Sequence, residues 1–118
     1  MNMICLTGHL VKEPTTAQTQ SGRLVASCAI AVPRPFSKET DFFDFDAWEQ
    51  IGEYLVKFGH TGDIIELSGT MENQKFKNKE GENVAKWRVR ASQIKIYRKS
   101  ANKENGENGE ETEDDLPF

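Results

Sequence analysis

The stretch Asp41-Phe42-Phe43-Asp44-Phe45-Asp46-Ala47-Trp48 puts four large aromatics on one predicted strand. Side chains alternate faces along a strand, so Phe43, Phe45 and Ala47 point one way and Phe42, Asp44, Asp46 and Trp48 the other. The first set is apolar throughout and reads as core. The second holds two rings about 20 Å apart, at about 3.3 Å per residue, with only carboxylates between them. A strand that needed merely to be half buried has no use for a Phe and a Trp on its polar side. That side therefore reads as a stacking surface.

Working outward, Met3 to Lys12 reads as a first strand, curved at Gly8, because a glycine inside a strand marks a bend or bulge. Pro14 ends it, and a polar stretch from Thr15 to Gly22 leads through the Ser21-Gly22 turn to a second strand, Leu24 to Val32. In that strand Leu24, Ala26, Cys28, Ile30 and Val32 share the larger apolar face. The segment Pro33 to Lys38 is a loop, since two prolines in three residues cannot donate to a ladder, and it displays Arg34, Phe36 and Lys38. After the central strand, Ile51, Tyr54, Leu55 and Phe58 recur at helical spacing, and Gly59 stands where the helix should stop. Gly62-Asp63 turns into a fourth strand, Ile64 to Gln74. A polar hairpin loop at residues 78 to 83 leads to a fifth, Val84 to Tyr97. There Trp87, Val89 and Ala91 share a parity that Ile94 and Ile96 do not, so a bulge is expected near Ser92, and Trp87 is assigned to the core or to a subunit contact. The stripe Lys86, Arg88 and Arg90 is either solvated or groove-facing.

Five strands with one helix between the third and fourth is the layout of the OB-fold, a small all-β Greek-key barrel whose strand 2–3 face and strand 4–5 loop form an oligonucleotide surface. On that surface the sequence collects Phe36, Phe42, Trp48 and Phe76. Phe76 lies among Lys75, Lys77 and Lys79. Stacking on an aromatic contributes about 1–3 kcal/mol per base and tolerates any base, and lysines add salt-sensitive phosphate contacts. Rings available to bases point to single strands, because a duplex keeps its bases inside.

The 118 residues carry a net charge of −4, which hides an asymmetry: residues 1 to 100 sum to +2 and residues 101 to 118 to −6. The expected division is a binding domain over residues 1–99 and a disordered acidic tail over 100–118, since the tail has a high density of acids and no residue able to build a core until its tip. The tip, Asp114-Asp115-Leu116-Pro117-Phe118, presents two large apolar side chains that serve no folding purpose and read as a partner-binding motif. Cys5 and Cys28 lie in apolar runs and read as small buried hydrophobes in a reducing cytosol. No run approaches the roughly 20 apolar residues that span a bilayer, and no signal peptide is evident. The expectation is a soluble, cytoplasmic, nucleoid-associated protein without a membrane partner, metal or other cofactor.

The segments MICLTGHLVKEP, SGRLVASCAIAV, TDFFDFDAW, HTGDIIELSGTMENQKF, GENV…RVRAS and the DDLPF end together resemble the bacterial single-stranded DNA-binding proteins, over essentially the whole length. The terminal motif is the most specific of these. Aligned by them, the family's four stacking aromatics fall on Phe36, Phe42, Trp48 and Phe76. The resemblance implies a homotetramer that wraps single-stranded DNA without sequence preference, and a tail that recruits replication, recombination and repair proteins. Leu116 and Phe118 would enter an apolar pocket while Asp114 and Asp115 meet its basic rim. The chain departs from the family pattern at Asp44, Glu72 and Gln74. Asp44 and Asp46 also sit between two of the rings, where carboxylates oppose phosphate, so weaker binding or a smaller site is expected.

Two rivals come from other classes. A metal-dependent nuclease would need Asp41, Asp44, Asp46 and Glu49 to converge, yet only Asp44 and Asp46 share a face; the expectation is no enzyme. A protein-interaction OB-fold that has lost nucleic-acid binding is the alternative.

Overall fold

The computed structural model describes residues 1–97. The proposed tail and its partner motif at 114–118 lie outside the described residues. The elements are β1 (Ile4–Leu10), β2 (Thr15–Gln18), β3 (Leu24–Pro33), β4 (Thr40–Trp48), α1 (Glu49–Phe58), β5 (Ile64–Lys77) and β6 (Asn83–Tyr97). They form one sheet in the order β1-β5-β6-β4-β3-β2, and an added β1–β3 pairing closes it into a barrel. The fold is the all-β OB-fold, with its helix between β4 and β5.

Closure happens where β1 meets β3 at His9↔Ala31 and Leu10↔Ile30. Gly8 is needed just before that junction: a side chain there would collide with the Ala31 carbonyl. The barrel interior is Leu10, Ala26, Cys28, Ile30, Phe45, Ala47, Leu55, Ile65, Leu67, Val89, Ala91 and Ile94. These are the inward positions of alternating strands plus one helical residue, Leu55. Helix α1 lies against β3, β4 and β6. It can approach closely because Gly52 packs onto the Ala47 carbonyl, where a Cβ would sit only 2.5 Å away. Ile51 and Tyr54 pack on the core as their spacing predicts. Phe58, in the last turn, is instead exposed and packs on the Tyr54 ring at 5.3 Å.

Two further features bear on the sequence reading. The segment expected to be a polar connector contains a sixth strand, β2, paired with β3 from Thr15↔Ser27 to Gln18↔Leu24. All four of its residues are exposed, so backbone pairing rather than burial makes it a strand, and hydropathy periodicity carries no trace of it. The bulge expected near Ser92 is present. The ladder steps from Ser68↔Gln93 to Gly69↔Ala91, skipping Ser92, whose hydroxyl donates to the Ser68 carbonyl at 3.2 Å. That extra residue lets Ala91 and Ile94, of opposite parity, both reach the interior.

Beyond the barrel, β5 and β6 continue paired to Lys77↔Asn83, whereas β4 meets β6 only at Phe45↔Val89 and Asp46↔Arg90. The distal hairpin is therefore an arm with two wet faces. Its tip is a tight turn in which the Asn78 Oδ1 accepts from the backbone N–H groups of Glu80 and Glu82, with Gly81 at φ +82°.

Candidate nucleic-acid interface

The two faces of β4 separate as its alternation dictates. Phe45 and Ala47 are fully buried and Phe43 packs on the core, while Phe42, Asp44, Asp46 and Trp48 face outward. Neighbouring strands extend that outer face through the register. Gln74 of β5 stands opposite Lys86 of β6, and Glu72 opposite Arg88. Gln74 and Arg88 both donate to Asp46, so this parity of the arm lies on the same side as Trp48. Phe76, two residues beyond Gln74, falls on the same side by alternation. Phe42 and Phe76 are exposed, and Phe36 projects fully from the β3–β4 hairpin at φ +60°.

Trp48 is not a bare ring. The guanidinium of Arg23 lies 4.9 Å from its centroid and that of Arg90 5.2 Å. Arg23 is also held by Glu49, through Nε at 3.1 Å and Nη2 at 2.9 Å. These cations sit over the ring within cation–π distance and concentrate positive charge around it. Arg23 had no signal in the sequence as a site residue, because it follows a turn and lies 25 residues from the ring it covers. The stripe Lys86, Arg88 and Arg90, left open between solvent and groove, lies on the Trp48 side of the sheet: Lys86 and Arg88 pair with Asp44 and Asp46, and Arg90 lies over the Trp48 ring.

The carboxylates between the rings are ion-paired rather than bare, which the sequence did not show. Asp46 takes Arg88 Nε at 2.8 Å and Nη2 at 2.7 Å, the Ser27 hydroxyl at 2.7 Å and Gln74 Nε2 at 3.3 Å. Burial pushes its carboxyl up. The Arg88 and Ser27 hydrogen bonds and the Arg88 charge outweigh that and hold it below the usual carboxylate range. Asp44 pairs with Lys86 at 2.8 Å. One carboxylate thus joins β3, β4, β5 and β6 and ties the arm to the barrel. The other acids considered as metal ligands are likewise taken: Asp41 by Arg34 and Glu49 by Arg23. Among the described residues no group of three or more acids, histidines or cysteines is placed to hold a metal ion.

The sequence-predicted cations divide. Arg34 is locked by Asp41 at 2.9 Å and Glu39 at 2.8 Å, and the Asp41 hydrogen bond raises its already high pKa. Lys38 is exposed in the loop beside Phe36, and Lys79 is exposed at the arm tip. Lys75 and Lys77 flank Phe76 in sequence but alternate to the opposite face of the arm. Trp87 falls on that reverse face too. It is 60% exposed, not core: its parity matches Val89, but β4 no longer covers the arm at that height.

A family model described as the Single-strand binding protein family matches residues 1–97. Among curated relatives, the chain is 29% identical over 89 residues to Single-stranded DNA-binding protein 1 of Lactococcus lactis subsp. lactis (strain IL1403), covering 71% of this chain and 59% of that protein. It is 28% identical over 100 residues to Single-stranded DNA-binding protein B of Bacillus subtilis (strain 168), covering 80% and 88%. Against Single-stranded DNA-binding protein 1 of Staphylococcus aureus (strain MSSA476) it is 31% identical over 101 residues, covering 81% and 65%. The chain therefore spans less than two thirds of the first and last of these relatives. No helix among the described residues is long and apolar enough to cross a membrane. With a match that takes in both barrel and arm, the chain belongs to the Single-strand binding protein family.

Proposed function

We propose that this chain binds single-stranded DNA without sequence preference, stacking bases on Phe36, Phe42, Trp48 and Phe76. The observation that carries the reading is that Phe42, Trp48 and Phe76 share one outer face across β4, β6 and β5, with Phe36 in the adjoining hairpin. Stacking uses the π-face every base has, so this arrangement gives affinity without reading sequence. Arg90, Lys38 and Lys79 supply phosphate contacts, while Arg23, Arg34, Lys86 and Arg88 serve mainly to neutralise acids. With so many cations internally paired, binding is expected to fall less steeply with salt than a count of lysines and arginines suggests.

From the family resemblance we add that the chain assembles as a homotetramer. We further propose that Asp114, Asp115, Leu116, Pro117 and Phe118 recruit replication, recombination and repair proteins.

A fluorescence titration with oligo-dT of several lengths, at several salt concentrations and with the mass in solution measured alongside, tests this function. The variant Trp48→Ala with Phe76→Ala should bind about 30- to 20,000-fold more weakly while staying folded, from two stacked bases. Unchanged affinity would sink the stacking assignment. A flat signal at low salt from the unaltered chain would favour a protein-interaction OB-fold. Removing residues 114–118 should abolish partner capture and leave DNA affinity equal or slightly higher.

A further inference from the structure

We propose that the reverse face of the β5–β6 arm is a second contact surface for single-stranded DNA, with Trp87 as its stacking ring and Lys75 and Lys77 as its phosphate contacts. This rests on the reading that the chain binds single-stranded DNA and extends it to a face which that reading leaves unused.

Three observations point there. Trp87 is 60% exposed on a strand whose next inward neighbours, Val89 and Ala91, are buried, so a large ring is left in water where a polar residue would serve the fold as well. The register sets Trp87 opposite Asn73 and Lys75 opposite the small Ala85, giving the ring an open flank beside a cation. Finally, the two faces of the arm differ in charge. The front carries Glu72 and lies against Asp44 and Asp46, which occupy Lys86 and Arg88. The distal reverse face consists of Asn73, Lys75, Lys77, Asn83, Ala85 and Trp87, with no carboxylate, and among the described residues neither lysine is in an ion pair. A polyanion meets two unpaired lysines on the reverse face of the arm, whereas Lys86 and Arg88 on its front are already paired with acids.

The path between the faces is open. A depression of about 610 Å³ at the end of the arm is lined by Lys75, Phe76, Lys77, Asn83, Val84 and Ala85, residues of both parities. A strand stacked on Phe76 can turn around the arm to reach Trp87. A second copy of this chain is the weaker candidate for that face. A two-fold contact sets a patch against itself, which would bring two pairs of lysines together with little apolar area to offset them.

Trp48 and Trp87 are the two tryptophans of the chain, which makes the test direct. In Trp48→Phe a ring remains at position 48 and Trp87 becomes the sole indole emitter. Saturation with oligo-dT, followed independently by the anisotropy of a labelled oligonucleotide, should quench that emission. Trp87→Ala should weaken binding of long oligo-dT by about 5- to 150-fold, with Trp87→Phe retaining most of it. The variant Lys75→Ala with Lys77→Ala should lower the slope of log K against log salt by about 1.4. Saturated binding without quenching, an unchanged salt slope, or a changed mass in solution for Trp87→Ala would each overturn the reverse-face surface while leaving front-face binding intact. Failure of the unaltered chain to bind oligo-dT at low salt would overturn both.

Discussion

The barrel wall and the arm are made from the same two strands, yet alternation does different work in each. Within the barrel, Ile65, Leu67, Val89 and Ala91 point into a closed core and their neighbours point out. In the arm, from Asn73 to Lys77, every residue is exposed and alternation merely sorts two wet surfaces. Stability constrains residue choice in the barrel, but almost nothing about folding asks for Phe76 or Trp87. These large apolar rings are held in water on the hairpin, so their contribution to the folded core is small.

The largest test of this contrast pairs one ring from each region. Phe45→Ala, fully buried, should lose about 3–5 kcal/mol of stability in urea unfolding. Phe76→Ala should change stability by less than about 0.5 kcal/mol while weakening oligo-dT binding. Comparable stability losses would erase the distinction between wall and arm.

The junction between the regions comes next. Asp46→Ala leaves Arg88 without its partner in a site where the Asp46 side chain is 10% and the Arg88 side chain 19% exposed. A loss of about 3 kcal/mol is expected, with the arm loosened from β4 and the protection of its amide hydrogens reduced. A loss confined to a few tenths would mean the arm is held by its backbone ladder alone.

A subtler effect concerns pH. Asp46 is held below its unfolded pKa, so its contribution is complete above the ordinary carboxylate range and is lost as pH falls through the folded value. The stability difference between the unaltered chain and Asp46→Asn should be constant from about pH 5 to 8 and should close progressively as pH falls below about 4. A difference that persists to pH 2, or closes near pH 6, would show that another group controls the junction.

The five barrel strands, the helix and the Ser92 bulge were legible in the sequence because each leaves a local periodic trace. The core face of β4 and the outward placement of Phe42, Asp44, Asp46 and Trp48 followed from strand parity alone. Strand β2 was not legible, since its four exposed residues pair through their backbone and leave no hydropathy pattern. Nor was the position of Trp87. Its parity says interior, and only the point at which β4 stops covering β6 makes it exposed.

What the sequence determined by itself was therefore which residues share a strand face, because pleating is a local property of the chain. What only the tertiary structure decided was which charges meet. Asp46 and Arg88 are 42 residues apart, and Arg23 and Trp48 are 25, so no window of sequence contains either pair. Barrel closure brings them together, turning carboxylates that looked like obstacles to phosphate into a clamp. The same closure ends short of the arm tip and leaves Lys75, Lys77 and Trp87 in the open.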